Sequence, residues 1–412
     1  MNNYKSRSDW LRFILVLALA MAVFWSAACS SSQNLVGVTA TPAATIASVS
    51  KADVASVAAR ATLDAAPPPI PTATLTPSPL PTVTVTSTTR PVPSATPGPQ
   101  AKSPAGGRIA FSSTRDGGSL FIMDADGSNV KRLAQGVWEP RWSPEGRHIA
   151  VRCGQSNRDV CVINADGSGL TNVSNHSADD TWYLWSPDSQ RLALMSKRSG
   201  DYEIFVVNVE GTELTNLTNN PANDVWPSWS SDGRFVAFYS DREGDKHQRI
   251  YVARTDGSGL VDMADNLIGT EPAWAPDGRH IAFADPFPSG NWDIYLMAPD
   301  GSGVVNLTHH PGFDGGAIWS PDSKHIAFRS DRSGDMGLFV MNADGAGVTF
   351  LAKTGSAPTW SPDGRSIAFE ICSGRSVRSD CDIYVANAGG SGLTNLTNHP
   401  ANDFAPAWEP AP

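Results

Sequence analysis

Four acidic residues, Asp180, Asp224, Asp314 and Asp403, each stand five positions before a Trp, and His176, Asn220, His310 and His399 each stand four positions before one of them. His309 adds a neighbouring imidazole. Carboxylates and imidazoles at a recurring spacing can do two kinds of work. Gathered from separate loops, they could hold a divalent metal or a cationic ligand, because such ions take oxygen and nitrogen donors. Used one pair at a time, each could cap its own turn through hydrogen bonds to the backbone. Recurrence in step with a repeat favours the second use. No spacing here specifies a metal, so no cofactor is expected, and a divalent metal is the alternative.

Cysteine usage points to a compartment. Cys153 and Cys161 flank GQSNRDV, and Cys372 and Cys381 flank SGRSVRSD, so both pairs sit at the same hairpin of a repeating unit. That placement across two antiparallel strands predicts two local disulfides, which persist in oxidising surroundings. Cys29 is left over. Before it come Lys5, Arg7 and Arg12, then the apolar run FILVLALAMAVFWSAA, the layout of an export signal over residues 1–28. The segment SAAC resembles a bacterial lipobox. The resemblance implies a lipidated Cys29 and an exported lipoprotein of the cell membrane or cell envelope.

Residues 29–106 are rich in Thr, Pro, Ala and Ser, as in PPPIPTATLTPSPLPTVTVT. Such a stretch buries too little apolar surface to offset its ordering entropy, and its prolines favour extended conformations. It reads as a stalk, with a helical patch possible near 50–62. The whole chain carries 31 Lys/Arg and 41 Asp/Glu; residues 1–106 hold 7 and 3 of these, leaving 24 and 38 for the remainder. A domain that acidic repels phosphate backbones, which excludes nucleic acid as a partner, yet it can attract cations or basic surfaces.

A repeated framework must position these residues. From 107 to 412 one pattern recurs seven times: an apolar strand (IAF at 109, IAV at 149, LAL at 192, VAF at 236, IAF at 281, 326 and 367), a second strand, a glycine turn, a short outer strand, a loop, then Trp. The tryptophans are Trp142, Trp185, Trp229, Trp274, Trp319, Trp360 and Trp408, spaced 41 to 48 residues apart. That is the period of a four-stranded propeller blade. The Val or Leu three residues after each turn glycine is expected to re-enter the core. The first repeat lacks its Trp strand and the last Trp lacks its blade. A seven-bladed all-β propeller is therefore expected, closed by Ala405 to Trp408 pairing beside Arg108 to Phe111, which leaves no long edge exposed.

Repeats such as WSPDGRSIAF at 360–369 and DIYVANAGGSGLTNLT at 382–397 resemble the TolB-type propeller family, also called WD40-like or PD40 repeats. The resemblance covers 107–412 and implies a platform that binds a protein or peptide partner and catalyses nothing. The propeller is expected to be monomeric and tied to the membrane through its N-terminal lipid. The loops of His176 to Asp180, Asn220 to Asp224, His309 to Asp314 and His399 to Asp403 are the candidate partner faces. Trp138, Trp182, Tyr183, Trp226 and Phe404 are either partner-facing or packed under those loops. Oligogalacturonate lyases resemble the same architecture, so a metal-dependent polysaccharide lyase or hydrolase using His176, His310 and His399 is the enzymatic alternative. Carbohydrate or cell-wall binding without catalysis is a third.

Overall fold

A computed structural model describes residues 50–61, 107–154, 157–244, 248–263, 269–286, 290–373 and 380–411. The export signal and Cys29 lie outside the described residues, as does the stalk apart from 50–61. The rest forms seven four-stranded antiparallel sheets. Blade one takes its inner strand, Asp403–Trp408, from the chain's end and the other three, Arg108–Ser113, Ser119–Asp124 and Lys131–Gln135, from its beginning. The pairing is Ile109 with Trp408, Ala110 with Ala407 and Ser113 with Asp403. Blades two to seven follow in order, with inner strands Trp138–Trp142, Asp180–Trp185, Asp224–Trp229, Thr270–Trp274, Asp314–Trp319 and Gly355–Trp360. Neighbouring blades pack against one another around the ring, and the seventh meets the first.

Local chemistry explains the repeat. The second strand of each blade is fully buried at its apolar triplet, as at Ile326, Ala327 and Phe328, because it lies between neighbouring sheets. Ahead of it, the Ser that follows most of the tryptophans accepts the N–H that opens the second strand and donates to the turn Asp; Ser320 does so with His325 and Asp322. The residue after that Asp is left-handed, which suits Gly364 (φ 68°) and strains Ser323 (φ 58°). The Trp rings, 5 to 8 % exposed, join blades. Five donate Nε1–H to a carbonyl of the preceding inner strand, as Trp185 does to Arg141 at 2.9 Å. At the other two junctions Ser228 and Thr359 accept the backbone N–H of Trp274 and Trp408 instead, and those indoles find no acceptor.

One expectation needs correction. Val130, Leu170, Leu214, Val304, Val348 and Leu393 do not re-enter the core; they are 38 to 49 % exposed. The outer strand is a sheet edge of as few as two paired residues, too short to turn its first side chain inward. The helical patch allowed near 50–62 is present. Lys51–Ala61 is a helix capped by Ser50, whose hydroxyl and N–H both bond the Asp53 carboxylate. Its Val54 and Val57 are 0 and 1 % exposed, in one core cluster with Phe235, Trp274 and Ile281 of blades four and five. Val57 lies against Gly278 in the turn after Trp274. The helix therefore rests on the face formed by the short turns, at blades four and five.

Candidate functional site

The loop face is built from carboxylates that hold the backbone. Asp180, Asp224, Asp314 and Asp403 open four inner strands and are all 0 % exposed. Each is clipped by an arginine two residues beyond the end of a second strand: Arg198 at 3.1 Å, Arg242 at 2.9 Å, Arg332 at 2.8 Å and Arg115 at 2.5 Å. The same arginines lie over buried rings, Arg242 over Tyr251 at 4.3 Å and Arg332 over Phe328 at 5.0 Å. Burial pushes the Asp403 carboxyl above the usual range, against the pull of Ser113 and Arg115. These four carboxylates are thus internal, and each fastens its own loop. Blades two, five and seven lack the clip, since their inner strands open on Trp138, Thr270 and Gly355. In blades two and seven the disulfides Cys153–Cys161 and Cys372–Cys381 fasten the same region.

A second set of acids was missed in the sequence. Asp159, Glu203, Asp293 and Asp382, at the start of or just inside the third strand, accept the backbone N–H of His176, Asn220, His310 and His399. Asn172, Asn306 and Asn395 donate to three of them. The recurring acid ahead of each apolar third strand was the available signal. The Glu203 carboxyl is raised by burial, with the Thr218 hydroxyl and the Asn220 N–H opposing.

The imidazoles serve their own turns. His176, His310 and His399 each accept at Nδ1 the N–H two residues on, from Ala178, Gly312 and Ala401 at 3.0, 2.9 and 3.0 Å. Asn220 Oδ1 does the same for Ala222. An accepting Nδ1 leaves the ring proton on Nε2, the reverse of what an Nε2-bound metal requires. His309 is exposed in a left-handed turn. Among the described residues no three His, Cys, Asp or Glu side chains are grouped to hold a metal.

What the ring does bring together is a belt beneath the loops. Every inner strand bulges three residues before its Trp, and the residue there is left-handed: Ala405, Glu139, Trp182, Trp226, Glu271, Gly316 and Ala357, with φ from 45° to 66°. The bulge breaks the pairing with the second strand at these residues, all of them on the innermost strand of a blade. Contacts then pass from blade to blade. Trp138 stacks with Phe404 at 5.9 Å, Arg141 lies 5.1 Å over Trp182, and Trp182 meets Trp226 edge-on at 4.0 Å. The Tyr183 hydroxyl donates to the Glu139 carbonyl. Glu271 and Glu370 accept the bulge N–H groups of Gly316 at 2.9 Å and Ala405 at 2.7 Å. Burial raises the Tyr239 hydroxyl to about 12. Of the aromatics singled out in the sequence, Tyr183 and Phe404 are packing residues; Trp138, Trp182 and Trp226 remain half-exposed.

Comparison with known proteins agrees with this geometry. The family described as the TolB beta propeller domain matches residues 100–269 and 261–356, more than half of the chain. The chain belongs to the TolB β-propeller family. No curated protein matches the sequence. Among solved structures, TolB from Acinetobacter baumannii is similar at 18% identity and TM-score 0.51, over 74% of this chain and 67% of that one. An oligogalacturonate lyase from Vibrio parahaemolyticus is similar at 14% identity and TM-score 0.54, over 72% and 85%. A puromycin hydrolase is similar at 14% identity and TM-score 0.56, over 72% of this chain and 54% of its own length. At such identities the likeness shows the propeller alone.

Proposed function

We propose that this TolB-family propeller is an exported, membrane-tethered scaffold that receives a protein or peptide partner on its loop face, over the mouth of the central opening. The observation that carries the reading is the Trp182–Trp226 pair. Two indoles stand edge-to-face, half-buried with one side packed against the core of blades three and four, on left-handed backbone that costs about 1 kcal/mol or more per residue for a bulky side chain. Ala357 and Ala405 fill the same position in other blades, so the ring does not need an indole there. Tryptophans held rigid on one side and open on the other are the kind of residue that anchors partners.

The choice of face follows from the helix at Lys51–Ala61. It occupies the turn face, so a chain tethered ahead of Ser50 approaches from that side and presents the loop face outward. Two disulfides suit an exported protein, and lipidation at Cys29 would supply the tether. The lyase reading is the less supported, because its three imidazoles are bound into separate turns in the wrong tautomer. The hollow beside Asn220, Asn223, Asp241 and Arg242 is shallow and open, which suits a macromolecular surface better than a small substrate.

The test is a photoreactive phenylalanine in place of Trp226, compared with one at Val305, which is 55 % exposed on the outer rim. In the native cell the first should give a discrete protein adduct and the second none. Equal labelling at both positions, or none at Trp226, would reject the loop-face reading.

A further inference from the structure

The left-handed position of the belt is filled unevenly. Blades three and four place Trp182 and Trp226 there, whereas blades six, seven and one place Gly316, Ala357 and Ala405. Indoles thus stand on one side of the ring and small residues on the other. On the small-residue side Glu271 and Arg329, both half-buried, flank Gly316. A methyl group built on Gly316 would lie 4.0 Å from Glu271 Oε2 and 4.0 Å from Arg329 Cδ.

These opposite charges attract but do not touch. Glu271 turns Oε2 onto the Gly316 N–H, and Glu370, the other nearby carboxylate, gives its oxygens to the Ala405 N–H and the Ser356 hydroxyl. Arg329 Nε is buried without an acceptor. Burial raises the Glu271 carboxyl and lowers the Arg329 guanidinium, each opposed by the attraction of the other, so neither charge is fully compensated where it stands. The equivalent position in blade two holds Arg152, which does pair, with Glu139 at 3.5 Å.

A group that offers a donor and an acceptor a few ångströms apart would satisfy both residues, and a secondary amide is that group: its N–H suits the carboxylate and its carbonyl the guanidinium. We propose that Glu271 and Arg329 clasp a backbone peptide group of an extended segment that enters the opening between them and the Trp182–Trp226 wall. The clasp rests on the partner reading and gives it a chemistry, the neutral peptide main chain. A free carboxylate or a uronate fits less well, because Glu271 and Glu370 already outnumber Arg329 and would repel a further anion.

The test uses the full chain with acetylated, amidated tetrapeptides, which carry no terminal charge, and trigalacturonate as the competing ligand, binding being read from indole fluorescence. Saturable peptide binding is expected. It should weaken about tenfold in Glu271→Gln and in Arg329→Met, and again when an ester oxygen replaces the central amide N–H. Without peptide, the melting midpoint of Arg329→Met should stay close to that of the wild type, since the substitution removes no direct hydrogen bond or ion pair and only the attraction of Glu271 and Glu370 across a gap. A midpoint lower by several degrees with peptide binding intact would assign Arg329 to the fold and overturn the proposal. Absence of peptide binding, or binding of trigalacturonate in its place, would overturn it too. A protein crosslinked at Trp226 whose capture ignores both substitutions would remove the clasp and leave the partner reading standing.

Discussion

Asp314 and Arg332 show what one residue pair does for a loop. The carboxylate is wholly buried and takes two bonds from one guanidinium nitrogen, at 2.9 and 2.8 Å. Removing only the cation leaves a buried charge without its partner. Arg332→Met should therefore cost about 3–5 kcal/mol in denaturant unfolding, and Asp314→Asn combined with it should restore part of the loss. Glu203 makes a pH-dependent prediction of opposite kind. Burial raises its folded pKa above the unfolded value, so its stabilising contribution is full below the ordinary carboxylate range and is lost as pH rises through the raised value. Comparing melting midpoints of the wild type and Glu203→Gln from pH 4 to pH 7 should show the difference moving in favour of the variant; a constant difference would contradict the cause assigned. At this scale the sequence was half legible. It displayed Asp180, Asp224, Asp314 and Asp403 with their spacing but not their use, although Ser113 and Arg115, Ser196 and Arg198, Ser240 and Arg242, and Ser330 and Arg332 repeat in the same register. Glu271 and Arg329 could not be found that way, because Glu and Arg fill the positions they occupy in only two of the seven blades each.

Among the elements, the helix at Lys51–Ala61 was legible as a local patch near 50–62, but its docking was not. Val54 and Val57, three apart on one helical face, gain stability only because a groove between blades four and five receives them. That groove is a tertiary product. Burying each valine contributes about 1.5–3 kcal/mol, so Val57→Asp should release the helix. Amide exchange across residues 51–57 should then become rapid while the apolar second strands stay protected; unchanged exchange would mean that the helix is not held by this face. The strands themselves were legible from their apolar triplets and turn glycines. The outer strand was misread, because a turn followed by Val or Leu looks alike whether the side chain lands in a core or on a sheet edge. The disulfides, placed at equivalent hairpins, followed from spacing, and the structure adds a reason for their location: both stand in blades whose inner strands begin without the Asp–Arg clip.

For the whole molecule, the decisive feature is that the first and last segments share one sheet. The terminal strand carries Trp408 into the first blade, pairs Glu409 with Arg108 and Asp403 with Arg115, and delivers the Ala405 N–H to Glu370 of blade seven. Only in a closed ring do the seven bulges face one opening, so the belt, the indole wall and the proposed partner face all depend on it. Closure was readable from arithmetic on the repeat: three strands at the start and one at the end complete a single blade. The most direct measurement is equilibrium unfolding, with site-resolved amide exchange, of the full chain and of one ending at residue 403. The ring predicts one cooperative transition for the full chain. In the shortened chain it predicts loss of protection at Ala110 and Ser112 and a much lower or broadened transition. A shortened chain that keeps the wild-type transition and the protection of blade one would contradict it.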